Sequence, residues 1–132
     1  MKAIVLVSHG SRSSKTKAEI QGIIDELRQR SRVDIWGYAF LGIGHPNILD
    51  GIKVCVQKGA TEIVVLLNFL NSGKHVDVDV PRMVDEARGK YPQIRFHITK
   101  PVGHHKRIVN LFSDMINEAF DAPSTQRTKV RA

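Results

Sequence analysis

Two short stretches of this chain carry residues fit for chemistry. Ser8-His9-Gly10-Ser11-Arg12 follows the apolar run Ile4-Val5-Leu6-Val7. Asn71-Ser72-Gly73-Lys74-His75-Val76-Asp77-Val78-Asp79-Val80-Pro81 follows Ile63-Val64-Val65-Leu66-Leu67. Each run reads as a buried parallel strand, and in open α/β sheets ligands sit outside the carboxyl ends of the strands. His9 and His75 therefore face one ligand crevice from two separate strand ends. His45 and the pair His104-His105 fall in or beside other such loops, whereas His97 lies within a strand and reads as a packing or surface residue. Neutral imidazole ligates Fe, Co, Ni, Cu and Zn and accepts protons near neutral pH. Asp77 and Asp79 suit either a metal-ligating or orienting role or the capping of the next helix. Asp79, just before Val80-Pro81, suits capping better.

The elements that position these loops alternate along the chain. Lys2–Ser8 is strand one, with Ser13 or Ser14 as N-cap of a helix whose Ile20, Ile23, Ile24 and Leu27 recur at helical spacing up to Arg30. Val33–Leu41 is strand two. The loop Gly42-Ile43-Gly44-His45 follows, and Pro46 suits the first turn of a helix through about Lys58, closed by a left-handed Gly59. Glu62–Leu67 is strand three, and a third helix starts at or near Pro81 and ends near Lys90-Tyr91-Pro92. Ile94–Ile98 is strand four, Pro101–His105 a loop, and Val109, Leu111, Phe112, Met115 and Ile116 mark a final amphipathic helix. This alternation predicts an α/β fold, a four-stranded parallel sheet with helices on both faces and all post-strand loops on one edge, in a flavodoxin-like order. So small a sheet leaves exposed edges that favour self-association.

With 132 residues, 42% hydrophobic and 25% charged, the chain fits one domain, 1–120, followed by a basic tail over 121–132 expected to be disordered. No apolar run is long enough to span a bilayer, and Met1-Lys2 leads straight into a strand rather than a signal peptide. One cysteine, Cys55, suits a reducing cytoplasm and reads as a small buried hydrophobe. The net charge of +7 attracts polyanions. Its basic residues are scattered and accompany no recognition helix, zinc finger or aromatic platform, which argues against nucleic acid as the partner.

Leu6-Val7-Ser8-His9-Gly10 is similar to the start of histidine phosphatases, but Ser8 stands where a phosphate-clamping arginine is needed. Gly42-Ile43-Gly44 is only a fragment of a dinucleotide fingerprint and follows the wrong strand, and no Walker sequence is present.

Three blocks in order carry a closer likeness: Leu6-Val7-Ser8-His9-Gly10-Ser11-Arg12, then Ala39-Phe40-Leu41 through His45-Pro46-Asn47-Ile48, then Phe69-Leu70-Asn71-Ser72-Gly73-Lys74-His75-Val76 with Asp79-Val80-Pro81. Pro101-Val102-Gly103 before the last helix also fits. Over roughly residues 1–120 the chain resembles the short, single-domain CbiX/SirB-type sirohydrochlorin chelatases. The resemblance implies half of the class II chelatase architecture and ATP-independent insertion of a divalent metal into sirohydrochlorin. The metal would be cobalt first, nickel or iron otherwise, for cobalamin- or siroheme-type tetrapyrrole synthesis. It implies no organic cofactor, the metal being a substrate, and a homodimer with the polycarboxylate ring in a cleft between subunits. By position, His9 and His75 become the metal-binding and proton-accepting pair. Ser11, Arg12, Gly42, His45, Ser72, Gly73 and Lys74 become candidate substrate contacts, together with the N-terminus of the third helix.

One departure stands out. Many relatives carry glutamate where this chain has Gly42, and Asn68 and Asn71 also differ from the common pattern. His45 is a candidate stand-in for that carboxylate, against the alternative of a surface loop histidine. The competing reading is a metal or tetrapyrrole carrier that kept both histidines without efficient turnover.

Overall fold

The computed structural model describes residues 1–122. Four strands, β1 (Lys2–Ser8), β2 (Ile35–Phe40), β3 (Glu62–Leu67) and β4 (Arg95–Ile98), form one sheet in the order β2-β1-β3-β4, every pair parallel. The expected flavodoxin-like arrangement is therefore observed. The chain moves one way from β1 to β2 and the other way from β2 to β3, so the switch point lies between β1 and β3.

Strand residues alternate between two cores because side chains on a strand point to opposite faces. Ala3, Val5 and Val7 of β1 and Ile63, Val65 and Leu67 of β3 face α2 (Ile48–Gln57) and α3 (Val80–Lys90), which contribute Ile52, Cys55, Val80 and Val84. Leu6, Trp36 and Phe40 turn the other way, onto Ile20 and Ile24 of α1 (Ser14–Arg30). The last helix, α4 (Ile108–Asp121), buries none of its residues. Among the described residues only α1 covers its face of the sheet, so helices flank both faces as expected but the second face is half covered.

Several boundaries differ from the sequence reading, each for a local reason. Helix α2 begins after Pro46, at Ile48, because Asn47 caps it by accepting from the Asp50 backbone N–H at 2.8 Å. Ser13 occupies the N-cap position of α1 without a side-chain cap bond, and its own N–H donates to Ser11 Oγ at 3.0 Å. Gly59 does adopt positive φ, +97°, behind the C-terminus of α2. The largest difference is at α3, where a π-helical turn over His75–Asp79 runs directly into the helix. The stretch expected to be a loop up to Pro81 is helical from His75 onward. Asp121 and Ala122 end the described chain with α4 extending through Asp121; the rest of the expected basic tail lies outside the described residues.

Candidate active site at the carboxyl edge

The loops after β1 and β2 interlock. Leu41 N–H donates to Ser8 O at 2.8 Å and Gly42 N–H to His9 O at 2.7 Å. Gly10, at φ +137°, lies so close to the second loop that a Cβ there would sit 2.3 Å from Ile43 O. Only glycine meets both demands. The loop after β3 is tied in as well. Asn68 N–H donates to Val7 O at 2.9 Å and its side-chain amide to Ser8 Oγ at 3.1 Å. These bonds bracket His9, whose ring meets the buried Phe69 edge to face at 4.5 Å between centroids. A cleft of about 290 Å³ opens beside it, lined by Ser8, His9, Thr16, Glu19 and Asn68 among others.

His75 stands on the other side of the switch point, at the first residue of the π-helical turn. Its Nδ1 lies 2.8 Å from Asp79 Oδ2. A carboxylate only accepts, so Nδ1 carries the proton and the Nε2 lone pair is left for a ligand. The His75 side chain is 71% exposed while that of Asp79 is only 20% exposed, so the acid is sheltered and the imidazole open. Arg82 also approaches Asp79, at 3.7 Å. The capping role expected of Asp79 is not observed: its backbone is already helical and it makes no cap bond to α3. It positions His75 instead. The i,i+4 spacing of the two residues was the available signal, hidden because this segment read as a loop.

The other expected site residues scatter around these two. Arg12, Ser72, Gly73 and Lys74 are exposed on the loops flanking the histidines, and Ser11 is half-buried. Gly42 is exposed beside His9, and a Cβ built on it would meet only His9 O, at 3.2 Å, without positive φ. Its glycine is not required by the backbone conformation, but a side chain there makes a tight contact that the His9 backbone must ease by a few tenths of an ångström. His45 is exposed, with no hydrogen-bond or ion-pair partner found for it among the described residues. His104 enters the edge through Ser72, with Nε2 at 3.1 Å from its Oγ, beside a cleft of about 600 Å³ that Asp77 and Lys100 also line. His105 turns back to accept from Arg107 N–H at 3.0 Å. His97 is a surface residue of β4, paired with Glu62 at 2.7 Å. Among the described residues, no three His, Cys, Asp or Glu side chains converge on one point. The arrangement offers imidazoles with open faces, suited to a ligand that brings donor atoms of its own.

Comparison with known proteins places the chain in a family. A sequence model of the CbiX family matches residues 3–119. The chain is 30% identical over 118 residues to the sirohydrochlorin ferrochelatase of Priestia megaterium, covering 89% of this chain and 44% of that protein. It is 29% identical to the sirohydrochlorin cobaltochelatase of Sulfolobus acidocaldarius, covering 95% and 98%. The solved sirohydrochlorin chelatase SirB from Bacillus subtilis subspecies spizizenii, in complex with cobalt, superposes with a TM-score of 0.76 at 30% identity, covering 89% of this chain and 51% of that one. The chain thus spans about half the length of several curated relatives and nearly all of the Sulfolobus protein. With its fold, its paired strand-end histidines and its match over nearly every described residue, the chain belongs to the CbiX family.

Proposed function

We propose that this protein is a sirohydrochlorin chelatase, a lyase-class enzyme that inserts a divalent metal into sirohydrochlorin without ATP, as a cytoplasmic homodimer. The observation that carries the reading is the pair of imidazoles flanking the β1/β3 switch point, one held by Phe69 and the other by Asp79. Metalation exchanges one M²⁺ for two pyrrole N–H protons. The protein must therefore hold the metal over the ring and take up the protons released. His75, with Nδ1–H donating to Asp79, offers Nε2 for either task, and His9 offers the second base. Ser11, Arg12, Ser72, Gly73 and Lys74 ring the histidines where the carboxylates of the macrocycle would lie. The helical run beginning at His75 adds the positive end of its dipole to the same edge. Cobalt is the first expectation for the metal, with iron and nickel as alternatives, because imidazole sites rank these ions mainly by geometry and supply.

Gly42 favours a second reading, a carrier that binds metal or tetrapyrrole without turnover. Anaerobic metalation of sirohydrochlorin, followed by absorbance with Co²⁺, Ni²⁺ and Fe²⁺ in parallel, separates the two. Acceleration over the spontaneous rate that is lost in His9→Ala and in His75→Ala is the expected result. A wild type that binds the ring yet only matches the spontaneous rate would make it a carrier. Gly42→Glu adds a carboxylate beside His9, with the backbone there giving by a few tenths of an ångström, and a gain in turnover is expected from it.

A further inference from the structure

We infer that Glu19 of α1 takes part in metal capture: its carboxylate and the His9 imidazole line one cleft and together receive the divalent metal before it enters the ring. The inference rests on the proposed chelatase activity and adds a residue to it.

Helix and loop bring the two residues to the same opening by separate routes. Thr16, Glu19, Ile20 and Ile23 all line the cleft, and their spacings of three and four put them on one side of α1. That helix is held on the sheet because Ile20 and Ile24 pack with Leu6, Trp36 and Phe40. His9 arrives from the end of β1, its neighbours tied to the loops after β2 and β3. The cleft of about 290 Å³ between them has room for an ion with several waters, at about 30 Å³ each. Ser8, Thr16 and Asn68 add polar groups to its wall. Neither the His9 ring nor the Glu19 carboxylate has a hydrogen bond or ion pair to another described residue. Both are therefore available to a ligand.

Charge singles this cleft out. A protein of net charge +7 repels a divalent cation at long range while it attracts a polycarboxylate, so the metal needs a local negative centre. The other carboxylates of this edge are less free to supply one. Asp79 is engaged by His75 and approached by Arg82. Asp77 shares its cleft with the Lys100 ammonium. Among the described residues, the cleft of His9 and Glu19 has no lysine or arginine in its lining. One imidazole beside one carboxylate gives the nitrogen and oxygen donors that Co²⁺, Ni²⁺ and Fe²⁺ accept. Two protein ligands leave the rest of the coordination shell to water, so the ion is held loosely enough to be surrendered. Transfer breaks its bonds to Glu19 and His9, forms bonds to the ring nitrogens and releases the two pyrrole protons.

Titration of the full chain with Co²⁺ alone, by calorimetry and by the visible absorbance of the bound ion, tests the site apart from the ring chemistry. Glu19→Gln keeps the side chain's size and its helix propensity, so the fold is retained. It is expected to weaken Co²⁺ binding by at least about 10-fold, a loss that even a supporting group beyond the ligands causes. Glu19→Asp should recover part of that loss. Glu26→Gln removes the same charge from α1 outside the cleft and is expected to bind Co²⁺ like the wild type. In metalation, Glu19→Gln should raise KM for Co²⁺ by a similar factor and leave KM for sirohydrochlorin unchanged. Co²⁺ binding unchanged in Glu19→Gln, or weakened equally in Glu26→Gln, overturns the site even where the wild type metalates the ring. A loss confined to Glu19→Gln, in a protein whose wild type fails to accelerate metalation, supports the site and overturns the chelatase reading alone.

Discussion

His75 and Asp79 illustrate how one side chain sets the chemistry of another. The carboxylate fixes which nitrogen carries the proton and holds the ring's direction, leaving the other nitrogen free. Removing its charge while keeping its shape should therefore slow metalation without unfolding the chain. Asp79→Asn is expected to lose about 10-fold in metalation rate with an unchanged thermal midpoint, the magnitude typical of such a supporting group. An equal loss in a His75→Ala background would contradict the assigned link, because Asp79 would then act independently of the histidine. His9 has no carboxylate of this kind among its described hydrogen bonds; its restraint is the Phe69 edge. The two histidines are thus unequal, His75 being oriented by a hydrogen bond and His9 by ring packing.

At the scale of elements, the site depends on loops that are distant in sequence and touch at the carboxyl edge. Gly103, in the 3-10 turn Val102–His104 after β4, approaches the backbone after β3 so closely that a Cβ would lie 1.7 Å from Leu70 O. The same turn donates Gly103 N–H to Phe69 O at 3.1 Å and presents His104 to Ser72. Gly103→Ala must push these loops apart. A loss of about 1–3 kcal/mol is expected by urea unfolding, the usual range for overpacking, together with slower metalation as the Phe69 support of His9 shifts. Across β3 and β4, Glu62 receives His97 at 2.7 Å and Arg95 at 3.3 Å. The hydrogen bond from His97 is the main cause that holds its carboxyl below the ordinary value of 4.5; partial burial opposes it, and Arg95 and then Lys2 lower it further. A lowered folded value means that folding favours the ionised acid. Its contribution is complete above that ordinary value and is lost as pH falls through the lower folded one. Urea midpoints taken from pH about 6 down to about 3 should therefore fall less steeply in Glu62→Gln than in the wild type.

For the whole molecule, charge and assembly matter most. A net charge of +7 on a chain of this size would draw the proposed polycarboxylate ring from solution, and salt screens that attraction beyond about 8 Å at physiological ionic strength. Raising salt should lower kcat/KM for sirohydrochlorin by about 10-fold through KM, with kcat nearly unchanged, because steering acts before chemistry. An equal fall in kcat would place the charge effect in the metalation step instead. No helix of the described residues is long and apolar enough to cross a membrane.

Much of this architecture was legible along the chain because it is local. Apolar runs such as Ile63–Leu67, the period of Ile20, Ile24 and Leu27, and Gly59 behind a helix each answer to backbone geometry within a few residues. Alternating strands and helices with short links then leave few topologies, and the strand-end position of His9 and His75 follows from them. Three features came only with the fold. Asp79 became the support of His75 because the segment from His75 is helical, and a helix puts residues four apart on one side. Gly42 proved free of any positive-φ requirement yet tightly placed against His9 O, because its φ and its single close neighbour depend on how two loops meet. Helix α4 read as an ordinary amphipathic element, yet nothing described in its own chain covers it. An apolar stripe specifies that a helix must be buried; which surface buries it is decided by where the chain's path leaves it.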